Sequence, residues 1–327
     1  MKAVGLNKFG GPEVLEYIDV PEPDSIGSEE LLIEVEAIGV NRADLLIRQG
    51  IYPVEKTFPV VPGFDVAGKV KQVGTQVKGF QKGQSVFSLV DIDGYSELVK
   101  VNSHLTLPFP GNLSSSEAAA IPTVVYTVWI TLFKLANLRK GETVLIHAAG
   151  SGVGIAAIQL AKYFGAQVIT TASTDEKLKR AQEFGADYLI NYSHQDFASE
   201  VKKITEGKGV AVILDGIGAS TLAQNISAIS KGGRLILIGG GGVGGLEGNL
   251  HLGRVIMKSI TLIGFNVHGQ GTKLYQYVQE FQQQILPLFA QGKIVSVIDK
   301  VFTLREAREA HVYLAERKNF GKVVLRP

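Results

Sequence analysis

The sequence predicts an α/β protein made of a mostly antiparallel β region and a doubly wound parallel sheet. Three observations carry this. Before Pro122, short β-rich runs alternate with Gly, Pro and Asp turns. After Pro122, apolar strands alternate with helical stretches, the pattern of a parallel sheet covered on both faces. The 327 residues suffice for one large domain or two ordinary ones.

Taken in order, the first region holds strands at 31–35, 66–70, 85–89 and 98–101, each bounded by turn residues. The second holds six, at 143–149, 167–172, 188–191, 210–215, 234–239 and 260–265, the number a complete dinucleotide-binding sheet needs. From Thr272 an amphipathic helix places Leu274, Tyr277, Val278, Phe281, Ile285 and Leu288 at near-helical spacing. Strands at 295–301 and 322–325 follow and are expected to return to the first region. The expected domains are therefore 1–122, 123–267 and a completing segment 268–327.

Composition excludes several function classes. Net charge is +2, from 33 Lys and Arg against 31 Asp and Glu spread along the chain, so no basic stripe for a phosphate backbone exists and nucleic acid is not expected as a partner. With no cysteine there is no disulfide, iron–sulfur cluster, thiolate zinc site or Cys nucleophile. That composition suits a reducing compartment, and a cytoplasmic location is expected. No segment reaches the ~18 uninterrupted apolar residues of a membrane span.

The strongest local signal is the segment Thr143-Val144-Leu145-Ile146-His147-Ala148-Ala149-Gly150-Ser151-Gly152-Val153-Gly154: a buried strand, a small-residue turn, then a helix. Such a turn lets backbone N–H groups approach a pyrophosphate, and the helix N-terminus adds partial positive charge. Against the G-x-G-x-x-G frame ending at Gly154, Ala149 and Ser151 stand where glycines are usual. The second strand ends Thr170-Thr171-Ala172-Ser173-Thr174, with no acid until Asp175. Lacking a carboxylate to repel a 2′-phosphate, and with Ser173 and Lys177 placed to hold one, the site is expected to prefer NADPH. Six of the seven residues from Gly239 to Gly245 are glycine, directly after the fifth strand, which reads as backbone passing close to a ligand.

The chain resembles the quinone oxidoreductase, or zeta-crystallin, group of zinc-less medium-chain dehydrogenases/reductases over essentially its whole length. The carriers are Met1-Lys2-Ala3-Val4, Phe9-Gly10-Gly11-Pro12-Glu13-Val14-Leu15, Gly39-Val40-Asn41-Arg42-Ala43-Asp44, Pro62-Gly63-Phe64-Asp65-Val66-Ala67-Gly68, the run from His147 to Gly154, and Gly321-Lys322-Val323-Val324-Leu325. The turn at 149–154 and Gln284-Ile285-Leu286-Pro287 look closest to the p53-inducible branch. The resemblance implies a GroES-like catalytic domain, a Rossmann domain, NADPH as cofactor and a homodimer, with the sixth strand available to pair across a two-fold axis.

In zinc-dependent relatives, metal ligands stand where this chain has Asn41 and Phe64. The six histidines, at 104, 147, 194, 251, 268 and 311, lie too far apart for helical pair spacing, so no metal is expected. Without a Lewis acid the acceptor must be intrinsically electrophilic: a quinone, or alternatively an alkenal or other enone. A crystallin-like protein that binds NADPH without turnover is a further alternative. The resemblance implies Asn41, Tyr52 and Thr127 as catalytic residues. It implies cofactor contacts at Ala149, Gly150, Ser151, Gly152, Val153 and Gly154, at Ser173, Lys177 and Tyr192, at Gly239 and Gly240, at Phe265 and Val267, and at Arg317.

Overall fold

Residues 30–40 carry buried side chains along nearly their whole length, which suits a strand with neighbours on both sides rather than an edge. The computed structural model describes residues 1–54, 57–239 and 244–327. These divide into two units, Met1–Tyr126 with Gln270–Pro327, and Thr127–Gly269. In chain order the strands up to Pro122 are β1 (Lys2–Gly5), β2 (Glu16–Asp19), β3 (Glu30–Val40), β4 (Asp65–Val73), β5 (Ser85–Leu89), β6 (Leu98–Asn102) and β7 (Thr106–Pro108). There follow β8 (Thr143–Ile146), β9 (Gln167–Ala172), β10 (Tyr188–Asn191), β11 (Val210–Asp215), β12 (Ile229–Ile238), β13 (Thr261–Phe265), β14 (Ile298–Thr303) and β15 (Lys322–Arg326).

In the first unit, β3 pairs antiparallel with β4 on one side. Its other side is shared: β6 takes Glu30–Glu34 and β15 takes Ile38–Val40. The sheet runs β14-β15-β3-β4-β5-β7, antiparallel except where β14 meets β15. The amphipathic stretch after Thr272 forms two helices, Lys273–Gln284 and Leu286–Ala290, the break falling where Pro287 enters. All six residues at near-helical spacing, from Leu274 to Leu288, are buried.

The second unit is a six-stranded, wholly parallel sheet ordered β10-β9-β8-β11-β12-β13. The chain starts in the middle at β8, builds outward to β10, then crosses back to β11, so the order reverses between β8 and β11. At such a reversal the flanking helices diverge to opposite faces and leave a crevice at the carboxyl ends of the strands. One face buries Leu145, Ile169, Ile190, Ile213 and Leu235 against Phe197, Val201 and Ile226. The expected α/β class and both sheet types stand. Several boundaries move: the strand expected at 31–35 spans Glu30–Val40, that at 66–70 spans Asp65–Val73 and that at 295–301 spans Ile298–Thr303, and two more shift in this sheet for reasons visible in the backbone. The first strand of this sheet stops at Ile146, because Ala148 turns to φ +58°. The fifth begins at Ile229, bending at Gly232 (φ +72°) where a register shift separates Val210 from Val212 on β11. Among the described residues no helix is long and apolar enough to cross a membrane.

Candidate active site

The turn after β8 is stitched by its own small residues. Ala148 is left-handed, and its carbonyl accepts both the backbone N–H of Ser151 (2.9 Å) and the Ser151 hydroxyl (2.8 Å). Ser151 caps the helix Gly152–Tyr163, its Oγ accepting the Gly154 N–H at 2.9 Å. A Cβ on Gly154 would lie 2.3 Å from the Ala148 carbonyl oxygen, so only glycine lets the helix approach the turn this closely. The N–H of Ala149 donates to the Thr171 carbonyl of β9 at 2.9 Å. Residues 149–154 thus form one rigid bend that aims a helix N-terminus past the carboxyl ends of the strands. This bend fits an anionic dinucleotide bridge.

At the end of β9, Ser173 is exposed and Lys177 lies half-buried in the helix Asp175–Glu183, which Thr174 caps. Asp175, the first acid after the strand, has its Oδ1 engaged by the Asn191 amide at 2.7 Å. Tyr192, 41% exposed, follows β10, and its N–H donates to the Ala172 carbonyl at 3.1 Å. The structure therefore brings Ser173 and Tyr192 to adjoining strand ends, with Lys177 one turn into the following helix. Gly239 leaves β12 at φ +53°, while Gly240 lies outside the described residues. Phe265 closes β13 and Val267 is buried just beyond it. Thr127, also in this unit, is 7% exposed and its carbonyl accepts the Thr131 hydroxyl at 2.6 Å.

In the first unit, Asn41 is the residue before the helix Arg42–Arg48, and its side chain is held on every side. Its amide donates to Asp65 Oδ2 (2.9 Å) and to the Gly39 carbonyl (3.2 Å), and its Oδ1 accepts from the Lys322 ammonium. Lys322 also donates to Asp65 Oδ2 at 2.8 Å, while Asp65 Oδ1 accepts the backbone N–H (2.9 Å) and hydroxyl (2.6 Å) of Thr123. Asp65 is fully buried and Lys322 is 4% exposed. Both amide hydrogens of Asn41 are thereby spent inside the protein, so its part is that of a fixed wall, not a free donor. Tyr52 packs edge-on against Phe64, ring centres 5.7 Å apart. Arg317 is left-handed at φ +55°, and its positive charge helps to hold Arg42 below the usual arginine range, after burial, which is the larger cause. Among the described residues no three His, Asp or Glu side chains gather as metal ligands.

Asp65, Lys322 and Thr123 have no role legible in the sequence, although the first two stand inside runs that carry the family resemblance. The available signal is a charged residue directly before an uncharged run, twice: Asp65 before Val66-Ala67-Gly68 and Lys322 before Val323-Val324-Leu325. A second buried group, Asp44, Tyr95 and His311, is likewise not legible as a group. The Tyr95 hydroxyl donates to Asp44 Oδ2 (3.2 Å) and lies 3.0 Å from His311 Nε2, and Asp44 Oδ2 also accepts the Asn41 N–H at 2.7 Å.

Burial raises the Asp44 carboxyl from 3.8 to about 7, against the lowering effect of the Asn41 hydrogen bond and the Lys322 charge. Burial, then the charge of Arg48, lowers His311 from 6.5 to about 3. Folding thus favours the protonated form of Asp44 and the neutral form of His311. Stability linked to Asp44 is present at low pH and lost as pH rises toward about 7; stability linked to His311 is missing at low pH and regained as pH rises toward 6.5. The two slopes oppose each other. Asp44→Asn should therefore make stability rise with pH between 4 and 6.5, and His311→Gln should make it fall between 4 and 7. Urea midpoints across that range check this; flat curves for both variants would refute it.

The family described as zinc-binding dehydrogenase matches residues 152–290, and that described as the alcohol dehydrogenase GroES-like domain matches residues 27–112. A curated quinone oxidoreductase from Pseudomonas aeruginosa is 33% identical, covering 100% of this chain and 99% of its own. The structure of Escherichia coli quinone oxidoreductase complexed with NADPH superposes with a TM-score of 0.93 at 30% identity, covering 100% of both chains. A structure titled NAD-dependent alcohol dehydrogenase gives 0.90 at 36% identity, again over 100% of both. CurK enoyl reductase gives 0.88 at 30%, covering 99% of this chain and 98% of that one.

Proposed function

Because the chain belongs to the quinone oxidoreductase family of medium-chain dehydrogenases/reductases, we propose that it transfers hydride from NADPH to a quinone without a metal ion. Its relatives support an oxidoreductase that uses a nicotinamide cofactor. The observation that carries the finer reading is the bend at 149–154 followed by a β9 end free of a competing acid, since Asp175 is turned to Asn191. Residues 149–154 would hold the pyrophosphate. Ser173, Lys177 and Tyr192 would hold the 2′-phosphate, Gly239, Phe265 and Val267 would contact the rest of the nucleotide, and Thr127 would line the cleft where nicotinamide and acceptor meet. Arg317 would add a cationic contact to the phosphorylated cofactor.

The bound nicotinamide would supply the hydride. The chain supplies what the acceptor needs: Tyr52 donates its phenol proton toward the oxygen that gains charge, and Asn41, fixed by Lys322 and Asp65, forms an immovable wall. Hydride addition alone gives the hydroquinone monoanion; the one proton from the Tyr52 phenol completes the hydroquinone, and water returns a proton to Tyr52. Reduction of an enone is the second reading, favoured by the likeness to an enoyl reductase. Steady-state rates with 1,2-naphthoquinone and with a short alkenal separate the two; turnover of the alkenal alone would overturn the first.

For the cofactor, Lys177→Ala should weaken NADPH about tenfold while leaving NADH nearly unchanged, the loss of one charge-assisted contact. Titration of both nucleotides checks this, and equal losses would place the 2′-phosphate elsewhere. We also propose a homodimer formed through β13, which lies at the edge of its sheet with Leu262 exposed, next to the exposed Leu252, Ile256 and Met257. Sedimentation should give twice the chain mass, and Leu262→Lys should shift it toward the monomer; a monomeric parent would refute the dimer.

A further inference from the structure

Four buried polar residues cross the carboxyl ends of three strands in the second unit. Asp215 ends β11, its Oδ1 accepting the backbone N–H groups of Ile217 (2.6 Å) and Gly218 (3.2 Å). Its Oδ2 accepts the Thr221 hydroxyl (2.7 Å) and the Asn225 amide (2.6 Å). A carboxylate so engaged can only accept, so the Asn225 atom facing it is nitrogen and the amide oxygen points the other way. That oxygen lies 2.8 Å from His147 Nε2, which must therefore carry the proton. In the neutral ring Nδ1 is then an acceptor, and the Thr171 hydroxyl, 2.9 Å away, donates to it. Asp215, Asn225, His147 and Thr171 are all 7% exposed or less, and Phe197 closes the ring edge-on at 4.8 Å. One anion thus dictates the orientation of three neutral groups in series. Burial lowers His147 below the usual histidine range against the raising influence of Asp215, the charged group that acts on it, which keeps the ring neutral.

The far end of this series reaches the nucleotide bend twice. His147 immediately precedes Ala148, and the backbone carbonyl of Thr171 receives the Ala149 N–H. Ala148 is strained: an alanine in left-handed conformation persists only where its surroundings over-determine it. We propose that the Asp215–Asn225–His147–Thr171 series is a positioning device that holds Ala148 left-handed and so sets the bend at 149–154 to receive the dinucleotide. This rests on the proposed use of a nicotinamide nucleotide. His147 and its partners are positioning residues: they act through the bend.

The test is a rescue. Thr171→Val keeps the side-chain shape but removes the donor to Nδ1. It should raise the NADPH dissociation constant about tenfold, the loss of one buried hydrogen bond, with kcat at saturating NADPH within about twofold of the parent. Ala148→Gly relieves the strain and alone should change little. Combined with Thr171→Val it should restore affinity to within about threefold of the parent, because glycine needs no holding. A merely structural hydroxyl would show no such rescue. Unchanged affinity in Thr171→Val, or a double variant that binds no better than Thr171→Val, would overturn the proposal. If the parent chain binds neither NADPH nor NADH, the proposed function falls instead, and amide exchange judges the series alone. Faster exchange at Ala149 in Thr171→Val, reversed by Ala148→Gly, upholds it; unchanged exchange overturns it. Should Thr171→Val fail to fold, the nitrogen spectrum of the parent's His147 decides, a proton on Nδ1 instead of Nε2 overturning the assignment.

Discussion

Gly154→Ala is expected to lose nicotinamide nucleotide affinity by about 100-fold or more while still folding. The added Cβ would sit 2.3 Å from the Ala148 carbonyl oxygen, 3.0 Å from the carbonyl carbon and 3.1 Å from Ser151 Oγ. Two of those atoms are backbone, so no rotamer change relieves the overlap. Either the helix Gly152–Tyr163 backs away or the bend opens, and both pull apart the hydrogen bonds that join Ser151 to Ala148 and to Gly154. Overpacking of this kind costs roughly 1–3 kcal/mol and a lost cap about 1 kcal/mol more. The parallel sheet beneath survives, because its core residues are untouched. Calorimetric titration with NADPH and urea unfolding measure the two effects separately; affinity equal to the parent would remove Gly154 from the site.

Lys322→Met should be the most destabilising single change in the first unit. It withdraws the ammonium from Asp65, leaving a carboxylate with no exposure and only Asn41 and Thr123 as donors. Breaking a buried pair from one side typically costs 3–5 kcal/mol. Adding Asp65→Asn should return much of that stability, since no charge is then left unpaired. Activity should not return with it, because Asn41 has lost the ammonium that orients its amide oxygen. Urea unfolding of the single and double variants, beside kcat/KM, checks both halves. A loss below about 1 kcal/mol in the single variant would mean the pair is solvated in solution.

Local patterns carried most of the legible part. Six apolar runs separated by helical stretches are enough to give the parallel sheet, since each signal spans only a few residues. The bend at 149–154 was legible for the same reason, and so were the helix after Thr272 and its buried face. What escaped was of two kinds. The left-handed Ala148 depends on how neighbouring strands pull on the backbone, and alanine does not announce it. The Gly232-Gly233 pair that bends the start of β12 carried a signal, but one too local to show that the strand continues back to Ile229. The buried polar groups depend on residues far apart in the chain: Lys322 lies 257 positions from Asp65, and His311 lies 216 from Tyr95. A single sequence gives no measure of which distant charge meets which, so Lys322 read as one more residue of a returning strand.

That returning strand sets the order in which the protein can be completed on the ribosome. The second unit is one continuous stretch, Thr127–Gly269, whose parallel sheet needs nothing from outside it. The first unit's sheet cannot close until β15 is inserted between β14 and β3, and β15 is made after β1–β14. Until then β3 waits with a bare flank along Ile38–Val40, a template open to another strand. When β15 emerges it both seals that flank and delivers the countercharge for Asp65.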